Sequence, residues 1–222
     1  PHVLPILPLK NTVLFPGVVV PISAGRDASI RLINEAYNSS KTIGVVAQLD
    51  ENTEIPEGKG VYRFGTVARI LRVLKMPDGN VTIIIQGKKR FEIESIVEDK
   101  PYIKAVIKEV ADIKPDPDDK EFEATIDAVR DLSIKIIQEN PNLPSEASFA
   151  IRNIESTSFL INFISSNMNA TVREKQAVLE IDHLKERATA ILKYLHIDLQ
   201  RLTLRNEVQS KTRNDIDHPR RE

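Results

Sequence analysis

The 222-residue chain contains no cysteine and only eight glycines. Without cysteine it can form neither disulfides nor cysteine–zinc sites, and it has no thiolate nucleophile. The glycines do not form the G-x-x-x-x-G-K-[ST] loop that cradles phosphates, and a G-x-S-x-G nucleophile elbow is missing. No apolar run approaches the roughly 20 residues that a helix needs to cross a bilayer. These absences exclude a P-loop, a disulfide framework and a membrane-spanning helix.

Positive and negative charges are nearly balanced, with 31 Lys and Arg against 32 Asp and Glu and a formal net charge of −1. That balance argues against nucleic acid and anionic membranes as partners, because both attract basic proteins. The one compact basic run, Gly87–Arg90, could touch phosphates but is interpreted as a turn between two strands. The four histidines lack the spacing of metal ligands. We therefore expect no catalytic, cofactor-binding or metal-binding residues in this chain.

The first half of the chain is rich in β-strand signals. Asp78-Gly79 between two β-branched runs predicts a hairpin, because glycine tolerates a positive φ. One helix interrupts the strands, with Asp27 predicted as its N-cap and an apolar stripe that reaches Tyr37. We predict a curled sheet or small barrel plugged by that helix, with strands at Val3–Leu9, Val18–Ile22, Thr42–Ala47, Val61–Leu74, Asn80–Gln86, Phe91–Val97 and Ile103–Val110.

The composition changes at Asp112–Asp119, where two prolines and four aspartates in eight residues indicate a linker. The aspartates there are interpreted as solvated charges. Helical periodicity dominates after this point. We therefore predict an α+β protein, with a β-rich domain over residues 1–113 and a helical domain over residues 118–222 that ends in a long helix.

The helical half should begin with a long helix that ends near Asn140, followed by three shorter helices, the last of them over Ala170–Ile181. Phe149 is among the residues expected to supply their core. The longest helix is predicted to start at Asp182 and to carry a leucine seam of coiled-coil type. This seam either packs inside the bundle or pairs with another subunit, and its candidate contacts are Leu199 and Leu202.

Exposed apolar residues are the remaining candidates for function. The segment Leu14–Pro21 holds two prolines, which favour loops and sheet edges. Phe15, Pro16 and Val18 are therefore predicted to contact other polypeptides, the alternative being that they fill the barrel. Met76 at the hairpin tip would suit promiscuous contacts, unless it folds over the sheet.

Several segments have a familiar pattern, namely Leu4–Gly17, Gly25–Ile30, Gly65–Ile70, Ile85–Phe91, Lys175–Glu180 and Glu207–Thr212. Together they resemble the Lon protease family, and the resemblance covers nearly the whole chain. It implies a PUA-like pseudo-barrel lobe, then a helical bundle leading into a long helix. In that family an AAA+ ATPase module and a Ser-Lys serine protease module follow, and neither is present in this sequence. ATP and Mg²⁺ are implied only for such a longer parent protein.

The resemblance also implies a function, that of the amino-terminal substrate-recognition and assembly region of an ATP-dependent protease. Members of the family act as homo-hexamers in protein quality control, and their amino-terminal regions engage unfolded or tagged proteins. Arg26 and Asp27 open the matching helix motif and are predicted to make contacts between subunits, the alternative being a plain cap and a surface arginine. The rival functions are a stand-alone Lon-domain adaptor and a PUA-like nucleic-acid binder.

Two expectations concern the ends of the chain. The first ten residues do not form a signal peptide, so we expect a cytoplasmic location, and Pro1 indicates a trimmed or processed start. Pro219 is expected to break or kink the long helix, since proline disfavours a helix interior by about 3 kcal/mol.

Overall fold

A computed structural model describes residues 2–53 and 58–217 of the chain. These residues form the predicted mixed α+β fold and cluster into two compact units. The first, called here the β unit, comprises the described residues up to Ile113 together with Ala170–His183. The second, called the helical unit, comprises Lys114–Asn169 and the described residues from Leu184 onward.

All of the described strands lie in the β unit, together with two of the helices. The strands are β1 His2–Leu9, β2 Val19–Ala24, β3 Thr42–Ala47, β4 Phe64–Lys75, β5 Val81–Glu98 and β6 Lys104–Val110. The helices of the β unit are α1 Asp27–Tyr37 and α5 Val172–Leu179, with a 3₁₀ turn at Gly58–Gly60. The helical unit contains α2 Lys120–Glu139, α3 Glu146–Asn153, α4 Thr157–Asn167 and α6 Leu184–Asp217. Pro219 lies outside the described residues.

The sheet has the strand order β2-β5-β4-β3-β1-β6, and an additional pairing of β5 with β6 closes the last five strands into a barrel. Neighbouring strands are antiparallel except β1 and β3, which are parallel. The long strand β5 pairs with β2 through its first half and with β6 through its second half. Among the described strands, β2 pairs with β5 alone and therefore forms an edge outside the closed ring.

The basic run Gly87–Arg90 lies within β5, so the prediction of a turn between two separate strands is wrong. Gly87 allows a close approach of the backbone, because a Cβ atom there would lie 2.3 Å from the carbonyl oxygen of Phe15. Its N–H donates to the Val18 carbonyl at 2.9 Å, and its own carbonyl accepts from Gly17 at 2.8 Å. Gly87, which resembled a turn signal, is required for this close contact between two backbone segments of the chain.

Two apolar clusters fill the β unit on the inner faces of its strands. Helix α1 contributes Leu32 and Ile33 to the first cluster, where they pack with Ile83 and Ile85 of β5. The second cluster surrounds Phe91, farther along the same strand. Because β5 supplies buried residues to both clusters, it connects the two parts of the core.

Helix α1 has the predicted span, but its N-terminus differs from the prediction. The N-cap is Arg26, whose backbone is extended at φ −76° and ψ 141°, and its side chain makes no capping hydrogen bond. Asp27 is already the first helical residue and is exposed. The prediction of Asp27 as the N-cap is therefore off by one position, although its carboxylate still lies in the first turn, where the helix dipole favours negative charge.

The helical unit is held by capped helices and by the packing of α2 along α6. Asp119 caps α2 by accepting from the Phe122 N–H at 2.9 Å, and its other oxygen accepts from Lys185 Nζ at 2.9 Å. Asp119 therefore has a defined structural role, contrary to the interpretation of the linker aspartates as solvated charges. Ser156 caps α4 in the same way, accepting from the Phe159 N–H.

Phe149 is the clearest departure from the predicted core of the helical unit. Its side chain is 70% exposed, whereas Ser148 and Ile151 of the same helix are buried. The helix has only eight residues, so it buries one narrow face and leaves Phe149 outside it.

Residues 170–183 belong to the β unit, although their helical periodicity predicted that they lie in the helical domain. Their helix α5 begins with a capping box between Thr171 and Glu174. Gln176 Nε2 then donates to the Phe64 carbonyl at 2.9 Å, and His183 forms a parallel bridge with Ile113. These contacts join residues far apart in the sequence, which helical periodicity cannot reveal.

Candidate functional site

The segment Leu14–Pro21 has its apolar residues Leu14, Phe15 and Val18 buried and exposes Val19 and Pro21. Phe15 is fully buried and Val18 nearly so, while Pro16 is half-buried. The expectation that Phe15 and Val18 are exposed is therefore wrong, because the Thr66 hydroxyl holds this segment against β4 by donating to the Leu14 carbonyl at 2.6 Å. The alternative interpretation, that these side chains fill the barrel, describes the structure.

Met76 lies at the tip of the β4–β5 hairpin, as predicted, and its side chain is 44% exposed. The turn is closed by hydrogen bonds from the Met76 N–H to the Asn80 carbonyl at 2.9 Å and from the Gly79 N–H to the Met76 carbonyl at 3.1 Å. Gly79 has a φ of +88°, which confirms the role predicted for it. Leu71 and Leu74 of the same hairpin are also exposed.

The outward side of β2, β5 and β4, called here the outer face, is turned towards solvent. Its β2 and β4 residues are exposed and its β5 residues are half-buried. Cross-strand pairing arranges it in three rows, each with one residue from β2, β5 and β4 in that order. The buried residues Ile83 and Ile85 alternate with the half-buried residues of β5 in these rows, as expected of a strand with one solvent face. The rows are Val19–Gln86–Arg69, Pro21–Ile84–Arg72 and Ser23–Thr82–Leu74.

A cleft of about 560 Å³ opens beside the start of α1. It is lined by β1, by the first turn of α1 and by the segment Asp99–Ile103. Arg26 lies half-buried in this wall, and its guanidinium donates to the side-chain oxygen of the buried residue Gln48. Arg26 thus holds the loop after β3 as well as lining the cleft. The contact with another subunit proposed for Arg26 and Asp27 stays a prediction.

A polar pair connects α1 to the segment before β6. The Tyr102 hydroxyl donates to the Glu35 carboxylate. Burial, and then the hydrogen bond to this carboxylate, raise the pKa of Tyr102 to about 12. The same hydrogen bond, aided by Arg31, lowers the pKa of Glu35. At neutral pH the phenol therefore stays protonated and the carboxylate charged, which is the state that keeps this bond.

Arg90 is the most buried charged residue among the described residues of the β unit, a role that was not predicted from the sequence. Its guanidinium donates to Asp112 at 2.7 Å and to Asp182 at 2.9 Å. It also donates to the carbonyls of Leu179 and Ala111 at 3.1 and 3.2 Å. Such a forked arrangement fits arginine and not lysine. In the sequence, Arg90 stands between Lys89 and Phe91, a pattern that does not distinguish a buried arginine from an exposed one.

The leucine seam of α6 packs inside the helical unit. Leu195 and Leu202 are buried and Leu199 is half-buried, which favours the internal interpretation of the seam over pairing with another subunit through these leucines. Near the end of α2, Asn206 donates to the Glu139 carbonyl at 3.0 Å. Beyond the seam, Leu204 is 62% exposed.

Within residues 2–53 and 58–217, no group of three or more His, Asp or Glu side chains is arranged to hold a metal ion. None of the helices in this part of the chain combines the length and apolar character needed to cross a membrane. The candidate site is the surface made of the outer face and the hairpin tip. A closed mixed sheet with such a face, followed by a helical unit that ends in a long helix, defines an α+β binding module.

The comparisons with known proteins identify the family. The pattern of the ATP-dependent protease La (LON) substrate-binding domain matches residues 3–196, so the chain belongs to that family. The Lon protease of Flavobacterium johnsoniae is 61% identical over 222 residues, which are all of this chain and 27% of that protein. The Lon protease of Cytophaga hutchinsonii is 48% identical over the same span. The chain thus spans about a quarter of the length of these relatives.

Solved structures support the fold. The N-terminal domain of the Mycobacterium avium complex Lon protease has a TM-score of 0.72 at 20% identity, covering 88% of this chain and 98% of that one. A Lon N-terminal domain protein from Xanthomonas campestris has a TM-score of 0.61 at 17% identity, covering 86% and 98%. The α+β architecture is therefore shared at low sequence identity.

Proposed function

We propose that this chain recognises extended apolar segments of unfolded or tagged proteins, as the amino-terminal part of an ATP-dependent Lon protease. The observation that carries the proposal is the family match over residues 3–196. It is supported by Val19, Leu74 and Met76, which expose apolar side chains on the outer face and at the hairpin tip. Apolar side chains are buried in native proteins and become available on unfolding.

The chemistry of degradation belongs to other modules of the proposed parent protein. There, an AAA+ module would use ATP and Mg²⁺, and a Ser-Lys dyad would cleave peptide bonds in the cytoplasm. Residues of the present chain would capture the substrate and deliver it. The support is that the chain covers only 27% of relatives named Lon protease.

Assembly into a homo-hexamer is the second part of the proposal. Ile197, Leu204 and Val208 of α6 are exposed, and their spacing of seven and four residues aligns them on one helix face. Pairing of these faces through a coiled coil would hide apolar surface and bring several outer faces together. Weak individual binding would then be strengthened by avidity.

The test is a comparison of a denatured model protein with its native form. We expect the chain to bind the denatured form at least tenfold more tightly by fluorescence anisotropy, because only that form exposes extended apolar segments. Leu74→Gln with Met76→Gln should weaken this binding, whereas the matched control Leu143→Gln, an exposed leucine of the helical unit, should not. Equal affinity for the two forms would remove the recognition role.

A further inference from the structure

The outer face is free of carboxylates although the chain as a whole is balanced in charge. Strands β2 and β4 contain no Asp or Glu, and neither does β5 from Val81 to Arg90. Over the complete sequence, 32 acidic residues accompany 31 basic ones. The same segments carry exposed cations on this face at Arg69, Arg72 and Lys88. The face therefore has a local positive charge that the net charge conceals.

The cations on this face are available for a ligand. Within the part of the chain that the structure describes, Arg69 and Arg72 form no ion pair. Lys88 Nζ donates to the neutral side chain of Gln86 at 3.0 Å. An anionic group that approaches the face would therefore not have to displace a carboxylate.

Apolar and basic residues occupy opposite sides of the outer face. The rows place Val19 and Pro21 of β2 on one side and Arg69 and Arg72 of β4 on the other, with Ile84 between them. Successive rows are two residues apart along β5, which corresponds to about 6.8 Å. Lys88 follows Gln86 by two residues in β5 and lies on the same side of that strand. Arg72 and Arg69 thus lie level with Ile84 and Gln86, and Lys88 follows Gln86, so the basic groups mark positions two residues apart along β5.

An extended polypeptide has that period too, since its alternate side chains point in opposite directions. We propose that the outer face binds an extended segment in which acidic residues alternate with apolar ones. Lying along β5, such a segment directs its carboxylates towards Arg69, Arg72 and Lys88 and its apolar side chains towards Val19 and Pro21. This inference rests on the proposed function and names the class of substrate segment that this surface selects.

A nucleic acid fits the same face less well. Single-stranded nucleic acids bind basic surfaces through aromatic side chains on which their bases stack. The aromatic residues of β4 and of β5 in this region, Phe64 and Phe91, are buried. The apolar side chains between the cations are aliphatic and favour a polypeptide.

The experiment uses the 222-residue chain and three synthetic octapeptides, each labelled with a fluorophore. One alternates glutamate with valine, one has the same composition with the four glutamates contiguous, and one alternates lysine with valine. We expect the alternating acidic peptide to bind about tenfold more tightly than the contiguous isomer, because two or three exposed ion pairs each add a small factor. The lysine peptide should not bind.

Two variants with the same change in charge locate the binding. Arg69→Glu with Arg72→Glu should abolish the preference for the alternating acidic peptide. Lys135→Glu with Lys193→Glu, both exposed in the helical unit, should leave that preference unchanged. Circular dichroism establishes that each variant remains folded, which is expected because all four side chains are exposed.

Equal affinity for the two glutamate isomers, or an unchanged preference in the Arg69 and Arg72 variant, overturns the inference. Competition by a single-stranded oligonucleotide as effective as that of the alternating peptide also overturns it, in favour of a nucleic-acid surface. Binding of the denatured model protein is measured in parallel. If that binding persists while the peptides are not distinguished, the inference fails and the proposed function stands; if it is absent, the proposed function fails.

Discussion

The β unit and the helical unit use a buried arginine in different ways. In the β unit, Arg90 joins two carboxylates and two carbonyls from segments far apart in the sequence. In the helical unit, Arg187 is as deeply buried, and one of its hydrogen bonds is donated to the side-chain oxygen of Asn162 at 3.1 Å. The first arrangement ties strand pairing to a distant helix, and the second links two helices. We therefore expect substitution of Arg90 to affect the whole β unit. Substitution of Arg187 should act locally in the helical unit.

The largest expected effect follows from the core position of Phe15. Phe15→Ala should lower the free energy of unfolding by about 4 kcal/mol, because it removes a large buried aromatic side chain and leaves a cavity. Urea denaturation followed by circular dichroism measures the change. Val19→Ala, at an exposed position four residues later, is the matched control and should change stability little. Similar effects of the two substitutions would contradict the burial of Phe15.

Arg90→Ala tests the ion-pair cluster of the β unit directly. It should lower the free energy of unfolding by about 3 kcal/mol, since it removes the buried guanidinium that pairs with Asp112 and Asp182. Hydrogen exchange of the backbone amides should increase throughout the β unit, including residues 170–183. Lys89→Ala, which removes an exposed pair at 3.8 Å, is the control and should have almost no effect. An increase confined to the few residues around position 90 would contradict cooperative behaviour of the unit.

Two leucines of α6 sharpen the comparison within the helical unit. Leu202→Ala should lower the free energy of unfolding by about 2 kcal/mol, because Leu202 is buried in that unit. Leu204→Ala, two residues farther on and exposed, should leave stability nearly unchanged and instead reduce any self-association seen by sedimentation. If the two variants were equally unstable, Leu204 would have to be part of the core.

The helical unit should lose stability at acid pH through Asp119. The hydrogen bond from Lys185, and then the backbone N–H of Phe122, lower the pKa of this carboxyl below its ordinary value of 3.8. A carboxyl with a lowered pKa stabilises the fold above its unfolded pKa, and the stability is lost as pH falls through the folded pKa. Asp119→Asn should therefore flatten the pH dependence of unfolding below pH 4. An identical acid profile in the wild type and the variant would contradict this role.

The smallest effect is spectroscopic and belongs to the β unit. The chain has four tyrosines, and ultraviolet absorbance should show one of them losing its proton at a pKa of about 12. Because this pKa is raised, stability is present below pH 10 and is lost as the pH rises towards 12. Tyr102→Phe should remove the late component, whereas Tyr37→Phe should leave it in place. A late component that survives in Tyr102→Phe would assign the raised pKa to another residue.

The elements with strong local signals were predictable from the sequence. The span of β3, the helix α1 and the hairpin at Asp78-Gly79 agree with the prediction, because each depends on residues close together in the chain. The interpretation of Gly87–Arg90 failed because a glycine that permits close approach has the same local pattern as a turn glycine. Local sequence does not reveal which distant backbone comes near.

The candidate surface was predicted only in part. Met76 was identified because a hairpin tip is exposed whatever surrounds it. Phe15 and Val18 were misjudged because proline-flanked apolar residues can lie in an exposed loop or in a core, and the contacts that bury this segment come from the distant residues Thr66 and Gly87. Arg69 and Arg72 were not selected, since their alignment depends on a register shift of β4 between Ile70 and Arg72.

The contacts of Arg90 have a consequence for synthesis of the chain. Asp182 leaves the ribosome 92 residues after Arg90, and the whole of Lys114–Asn169 emerges between them. At translation rates of about 5 to 20 residues per second, the delay is roughly 5 to 20 s. During that interval the nascent barrel contains an arginine whose second carboxylate has not yet been made. The β unit therefore reaches its final form only after most of the helical bundle has been translated, and a chaperone that shields it would act in this interval.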